Sequence, residues 1–207
     1  MKEKEFMSRL KELYLPPTDE FVIVNVPALR YAVIDGKGGP GGKAHAHAIK
    51  WLFAAVYPIK RIARERMGKS FVEAPLEGLW WADDVEDFIS GKKDKLKWRM
   101  MIVLPDWVCG AHEFKKAVAT AAKELGDAPG NLRLERYKEG KSVQFMHVGP
   151  PGDARPTLQR LHKNFLPEHG LAPNGFHHEV YLNDPGRVAP EKLKTVFRQP
   201  VRRVPRG

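Results

Sequence analysis

A single cysteine in 207 residues leaves no partner for an internal disulfide. The lone thiol, Cys109, suits a reducing compartment. Long apolar runs are missing too. The longest, from Trp51 to Ile59, falls well short of the ~20 residues that a membrane helix needs. Met1 to Arg9 alternate charges with Phe6 and Met7, without the apolar stretch and small-residue cleavage site of a secretory signal. These absences predict a cytoplasmic protein with no membrane partner. With 43% hydrophobic residues, the chain has ample material for a core.

Dense charge runs are also scarce, although the formal net charge is +10. Only Lys92 to Lys97 and Arg202 to Arg206 concentrate basic residues. No zinc-finger spacing, RNA-recognition signature or helix-turn-helix pattern accompanies them, so the expectation is a solvated basic surface and not a nucleic-acid partner.

Several chemical motifs fail on inspection. Gly36 to Gly41 matches the dinucleotide-binding glycine pattern literally, but it follows a predicted hairpin, is stiffened by Pro40, and leads into an overlong helix. A phosphate loop would need Gly at Lys37 and Ser or Thr at Ala44. His45 and His47 point to different faces of a helix, and His112-Glu113 lacks the second histidine of a zinc motif. Cys109 has no orienting pattern for a nucleophile and reads as a buried structural thiol. No metal or cofactor is expected.

What remains is an order of elements written twice. Residues 2 to 14 predict an amphipathic helix on Phe6, Leu10, Leu13 and Tyr14, stopped by Pro16-Pro17. Strands at 21–26 and 29–36, with a turn at Pro27-Ala28, precede a glycine-rich loop and a helix over 43–67. A strand over 71–81, a short helix capped by the acids at 83–84, and a strand over 96–104 complete the first half. The second half predicts a helix at 111–125, strands at 132–137 and 142–148 around a turn at Glu139-Gly140, and a helix at 156–166. A strand at 176–182, a short helix at 190–196 and a last strand at 197–202 follow. The expected fold class is α+β: one domain over 1–207 with an internal repeat of about 1–104 and 105–207, each half supplying sheet that the other completes.

The candidate chemistry lies on two strands. Pro75-Leu76-Glu77-Gly78-Leu79-Trp80-Trp81 sets a carboxylate in an apolar run, where burying it unpaired costs several kcal/mol. Alternation puts Glu77, Leu79 and Trp81 on one face and Trp80 on the other. Phe176 to Leu182 repeats the theme, with His177, Glu179 and Tyr181 sharing a face, and the repeat pairs Glu77 with Glu179. An apolar cleft with a few polar groups suits an organic ligand, and desolvation there raises a carboxyl pKa toward the range of a general base.

These segments resemble the GyrI-like small-molecule-binding family. The resemblance runs from about Phe21 to Val201. It is carried by Asp35-Gly36-Lys37-Gly38-Gly39-Pro40, Ala48-Ile49-Lys50-Trp51-Leu52-Phe53, Val56-Tyr57-Pro58-Ile59-Lys60, the Glu77 and Glu179 strands, and Ala189-Pro190-Glu191-Lys192-Leu193-Lys194-Thr195. It implies two pseudo-symmetric strand-helix-strand-strand units forming a concave site for a small-molecule ligand. Similarity to stand-alone relatives also implies hydrolysis of cyclopropane-containing genotoxins of the duocarmycin and yatakemycin type. Glu179 would then activate water, Tyr181 or Tyr57 would hydrogen-bond substrate or water, and Trp80, Trp81 and Trp107 would form aromatic walls. Glu77 and His177 complete the expected ligand-binding set. The alternatives are a noncatalytic binder using the same cleft and a protein-interaction module acting on gyrase, for which the basic surface is the only hint.

Overall fold

The computed structural model describes residues 3–18, 20–68, 74–90, 92–108 and 110–205. Cys109, Lys2 and the 71–73 start of the expected Glu77 strand lie outside the described residues. The first helix, α1 (Glu3–Tyr14), buries Phe6, Leu10, Leu13 and Tyr14, as its spacing predicts.

The two expected hairpins are absent. Val22–Lys37 is one strand, β1, and Arg133–Val148 is one strand, β4, with Gly140 at φ 78° inside it. Proline's fixed φ is compatible with extended backbone, so Pro27 interrupts only a donor and not the strand. A two-residue hairpin needs positive φ at both central residues, or at the first, and Pro27 cannot supply it. At Gly140 the positive φ is absorbed within the strand. β1 pairs with its neighbour strand from Arg30 onward, and β4 with its own from Ser142 onward. The described chain forms two compact units, one of Met1–Phe6 with Leu29–Tyr137 and the other of Met7–Ala28 with Lys138–Gly207. Each presumed turn is therefore where a long strand leaves one unit for the other.

In the first unit, β3 (Lys97–Leu104) pairs antiparallel with both β1 and β2 (Leu76–Trp81). The helix α2 (Lys43–Met67) packs on β3 and against α4 (Ala111–Leu125), and buries Ala48, Trp51, Leu52, Ala55, Val56, Ile59 and Ala63. Between β2 and β3, the short helix α3 (Val85–Ile89) is capped by Asp84, whose side chain accepts from the Glu86 amide at 2.8 Å.

Gly36 is fixed by packing and not by a motif. A Cβ there would lie 2.2 Å from the Trp98 ring, which lies against the backbone of its cross-strand partner. Gly36→Ala is expected to cost about 1–3 kcal/mol by overpacking, read as a lower urea midpoint at unchanged m-value.

In the second unit, β7 (Lys194–Arg203) is central. It pairs with β4 on one side and β6 (His177–Tyr181) on the other, and its far end pairs with β5 (Leu171–Pro173). The expected helix at 190–196 is only a 3₁₀ turn, Pro190–Lys192. Leu193 is extended at ψ 142°, and from Thr195 to Val201 the chain is buried on both faces, so β7 starts earlier than the expected strand at 197. The segment after β4 is helical throughout: a 3₁₀ turn (Pro151–Ala154), α5 (Arg155–Arg160), a π turn (Leu161–Phe165) and α6 (Leu166–Glu168). Ala154, Leu161 and Leu166 from this layer form a core with Val143, Phe145, Phe197 and Val201.

Candidate functional site

Alternation along β6 is clean. His178 and Val180 are fully buried, while His177, Glu179 and Tyr181 are half-buried on the opposite face. Glu179 sits directly across from Phe197, and Phe197 is across from Phe145, with the two rings stacked at 5.5 Å and 21°. Because Phe145 and Phe197 contact the helical layer, Glu179 lies on the helix-covered face. His177 Nε2 stands 3.3 Å from Glu179 Oε1, and its ring is 5.6 Å from that of Phe197. His162, in the π turn, has its pKa lowered by burial first and then by the charge of nearby His177. The result is a carboxylate held by an imidazole beside a phenol on an apolar floor. A carboxylate so placed can take a proton from water, and the imidazole can orient it.

In the first unit, Glu77 is fully buried and faces Met101 across the ladder. Leu79 and half-buried Trp81 share its side of β2, with Arg99 across from Leu79. Trp80 is on the other side, across from Trp98, and both rings lie 5.5 Å from His45 of α2. His45 is therefore a packing residue beneath two indoles. Glu77 thus avoids the face covered by the unit's long helix, whereas Glu179 occupies the helix-covered face of its own unit. The expected partners Glu77 and Glu179 thus differ in burial and in the covering of their faces, while His178, next to Glu179, is fully buried like Glu77. Tyr57 stands on α2 with 61% of its surface exposed. Trp107 is half-buried in the turn closed by the Val108 amide and the Pro105 carbonyl.

The largest feature that the sequence reading missed is ionic and buried. Beneath β6 and β7, Glu139 accepts from Arg198 Nη1 at 3.1 Å and lies 3.1 Å from His178 Nδ1. Arg198 also donates from Nε to Gln144 Oε1 and from Nη2 to the Leu13 carbonyl, both at 2.8 Å. Gln144 Nε2 donates to the Glu12 carbonyl at 3.2 Å. Burial alone would raise the Glu139 pKa, but the charges and hydrogen bonds of His178 and Arg198 outweigh it and hold the carboxyl at about 2. The available signal was Arg198 in a strand with apolar Val196 and Pro200 two residues away on either side, since a guanidinium there needs a buried anion.

A second, more accessible square of charges joins Asp35 and Glu135 to Arg99 and Arg133 in the first unit. Burial pushes the Asp35 carboxyl up, yet Arg99 and Arg133 together hold it below its ordinary value. A groove of about 710 Å³ in the second unit is lined by Glu20, Phe21, Arg160, Asn164, Phe165 and Glu168. Arg160 lies over the Phe21 ring at 4.8 Å, so an internal cation already occupies that aromatic face. Among the described residues, no three His, Cys, Asp or Glu side chains form a metal-binding group, and no helix is long and apolar enough to cross a membrane.

Among curated proteins, none matches the chain. Solved structures do. An uncharacterized conserved protein from Listeria innocua is 32% identical with a TM-score of 0.83, over 95% of this chain and 98% of that one. A hydrolase from Listeria innocua is 33% identical with a TM-score of 0.78 over the same shares. The C-terminal domain of EcmrR is 12% identical with a TM-score of 0.55, over 89% of this chain and 98% of that one, and shares the fold alone. The family profile for the GyrI-like small molecule binding domain matches residues 19–202, nearly the whole α+β chain, and the protein belongs to that family.

Proposed function

We propose that this small-molecule-binding domain takes planar or amphipathic xenobiotics and adds water to reactive cyclopropanes, with Glu179 as the base. The observation that carries the reading is the half-buried Glu179–His177 pair beside Phe197 and Tyr181. The hydrolase designation of two Listeria innocua proteins 33% and 32% identical to the chain supports it.

In this reading Glu179 removes a proton from water as the oxygen bonds to a cyclopropane carbon. The strained carbon–carbon bond breaks, and its electron pair moves through the conjugated system to a carbonyl oxygen, which takes up a proton. Water is added and no other co-reactant is consumed. His177 orients the carboxylate, and the Tyr181 hydroxyl hydrogen-bonds water or the developing oxyanion. Glu77, Trp81 and Trp107 belong to the first unit and are assigned no step. Trp80, packed on His45 and across from Trp98, is a core residue of that unit. Tyr57 is assigned no step.

The test is incubation of the purified protein with a duocarmycin-like cyclopropane, followed by mass spectrometry of the ring-opened, hydrated product. Turnover well above the buffer rate is expected. Ligand recovered unchanged after prolonged incubation would replace the hydrolase with a sequestering protein, and the family's binding role would stand.

A further inference from the structure

The expectation against nucleic acid rested on the rarity of dense basic runs and on the lack of a base-reading motif; helical geometry removes the first ground, and binding without base readout does not need the second. Residues three or four apart in sequence become neighbours on a helix surface. Along α2, Lys43, His47, Lys50, Tyr57, Arg61 and Arg64 are all exposed, and their spacing of 3, 4 or 7 residues keeps them on one stripe. At 1.5 Å per residue the stripe is about 30 Å long.

The rest of the helix agrees. It holds six basic residues and one acid, Glu65, and its first turn has no acid. Among the described residues, no ion pair involves Lys43, Lys50, Arg61 or Arg64, so their charge is not spent inside the protein. The opposite, apolar side of α2 is buried on the sheet, so this helix cannot insert that face into a lipid surface. The neighbouring helix α4 adds exposed Lys115, Lys116 and Lys123. Tyr57 is the large apolar residue exposed among these cations, and it carries a neutral hydroxyl donor of a kind that meets phosphate oxygens.

We infer that the outer face of α2 is a docking surface for the phosphate backbone of duplex nucleic acid, without base readout. A duplex presents phosphates along its whole length, one charge per ~1.7 Å of axis, which matches an extended line of cations better than a compact acidic site does. The stripe shares no residue with the β6 set used above.

The experiment is fluorescence anisotropy with a duplex of about 20 base pairs, longer than the stripe, between about 50 and 200 mM salt. Four phosphate contacts predict a fall in affinity on the order of 100-fold across that range. The variant Lys43→Gln, Lys50→Gln, Arg61→Gln, Arg64→Gln alters only exposed side chains and should fold normally by circular dichroism. It is expected to bind at least ~10-fold more weakly at the lower salt, with a salt slope shallower by about 3 to 4. Tyr57→Phe should lose a few-fold in affinity at an unchanged slope, because its contact carries no charge. The inference is overturned if the wild-type protein does not bind the duplex at the lower salt, or if the fourfold variant binds as well as wild type. Tighter binding to a poly-glutamate peptide or to anionic vesicles than to the duplex also overturns it. Ring opening by the fourfold variant should be unchanged, which separates this surface from the proposed chemistry.

Discussion

Arg198→Ala is expected to destabilise the protein by about 3–5 kcal/mol, because it leaves the Glu139 carboxylate buried with only His178 to compensate. The same change removes the donor to the Leu13 carbonyl, loosening the C-terminal turn of α1. Glu139→Gln with Arg198→Met removes both charges at similar volume and should recover much of the loss, with the double-mutant cycle reporting the coupling. Acid titration gives an independent reading. The folded carboxyl is held at about 2 against an ordinary value of 4.5, so it is depressed. Its stabilising contribution is fully present above pH 4.5 and is lost as the pH falls toward 2, an effect on the order of 3 kcal/mol. In Glu139→Gln that part of the acid slope should vanish from urea midpoints measured across the window. A slope identical to wild type would show that Glu139 is not held by its neighbours.

This network also shows where the sequence stopped being legible. Helices with a continuous apolar stripe, such as α1, α2 and α4, follow from spacing alone, because burial on one side is written into the 3.6-residue period. Short, doubly covered strands have no such period. In β7 both faces are buried and a guanidinium replaces an apolar residue, so Lys194–Arg203 lacks the alternation that would mark its length. Pro27 and Gly140 read as turns because turns favour them, yet each sits inside a strand long enough to serve both units. The different faces of Glu77 and Glu179 have a related cause. The order of elements pairs the two acids, but only cross-strand partners and the covering helix define a face. The His177–Glu179–Tyr181 set was readable, since a period of two places all three together. His162 and Phe197 were not, because they come from separate elements and carry no local signature.

Glu179→Gln is the decisive substitution for the proposed chemistry. The amide is nearly isosteric and keeps an acceptor for His177, but it cannot remove a proton from water. Loss of a positioned general base is expected to lower kcat by about 10²–10⁴-fold while substrate binding stays within a few-fold. Glu77→Gln should behave differently. Glu77 is fully buried in the first unit, so its replacement should change the stability of the protein and leave kcat near the wild-type value. His177→Ala should leave an intermediate rate, because the base remains while its orientation is lost, and His177→Gln should restore part of that rate by returning a hydrogen bond to Glu179. A Glu179→Gln protein that opens the ring at the wild-type rate would remove Glu179 as the base.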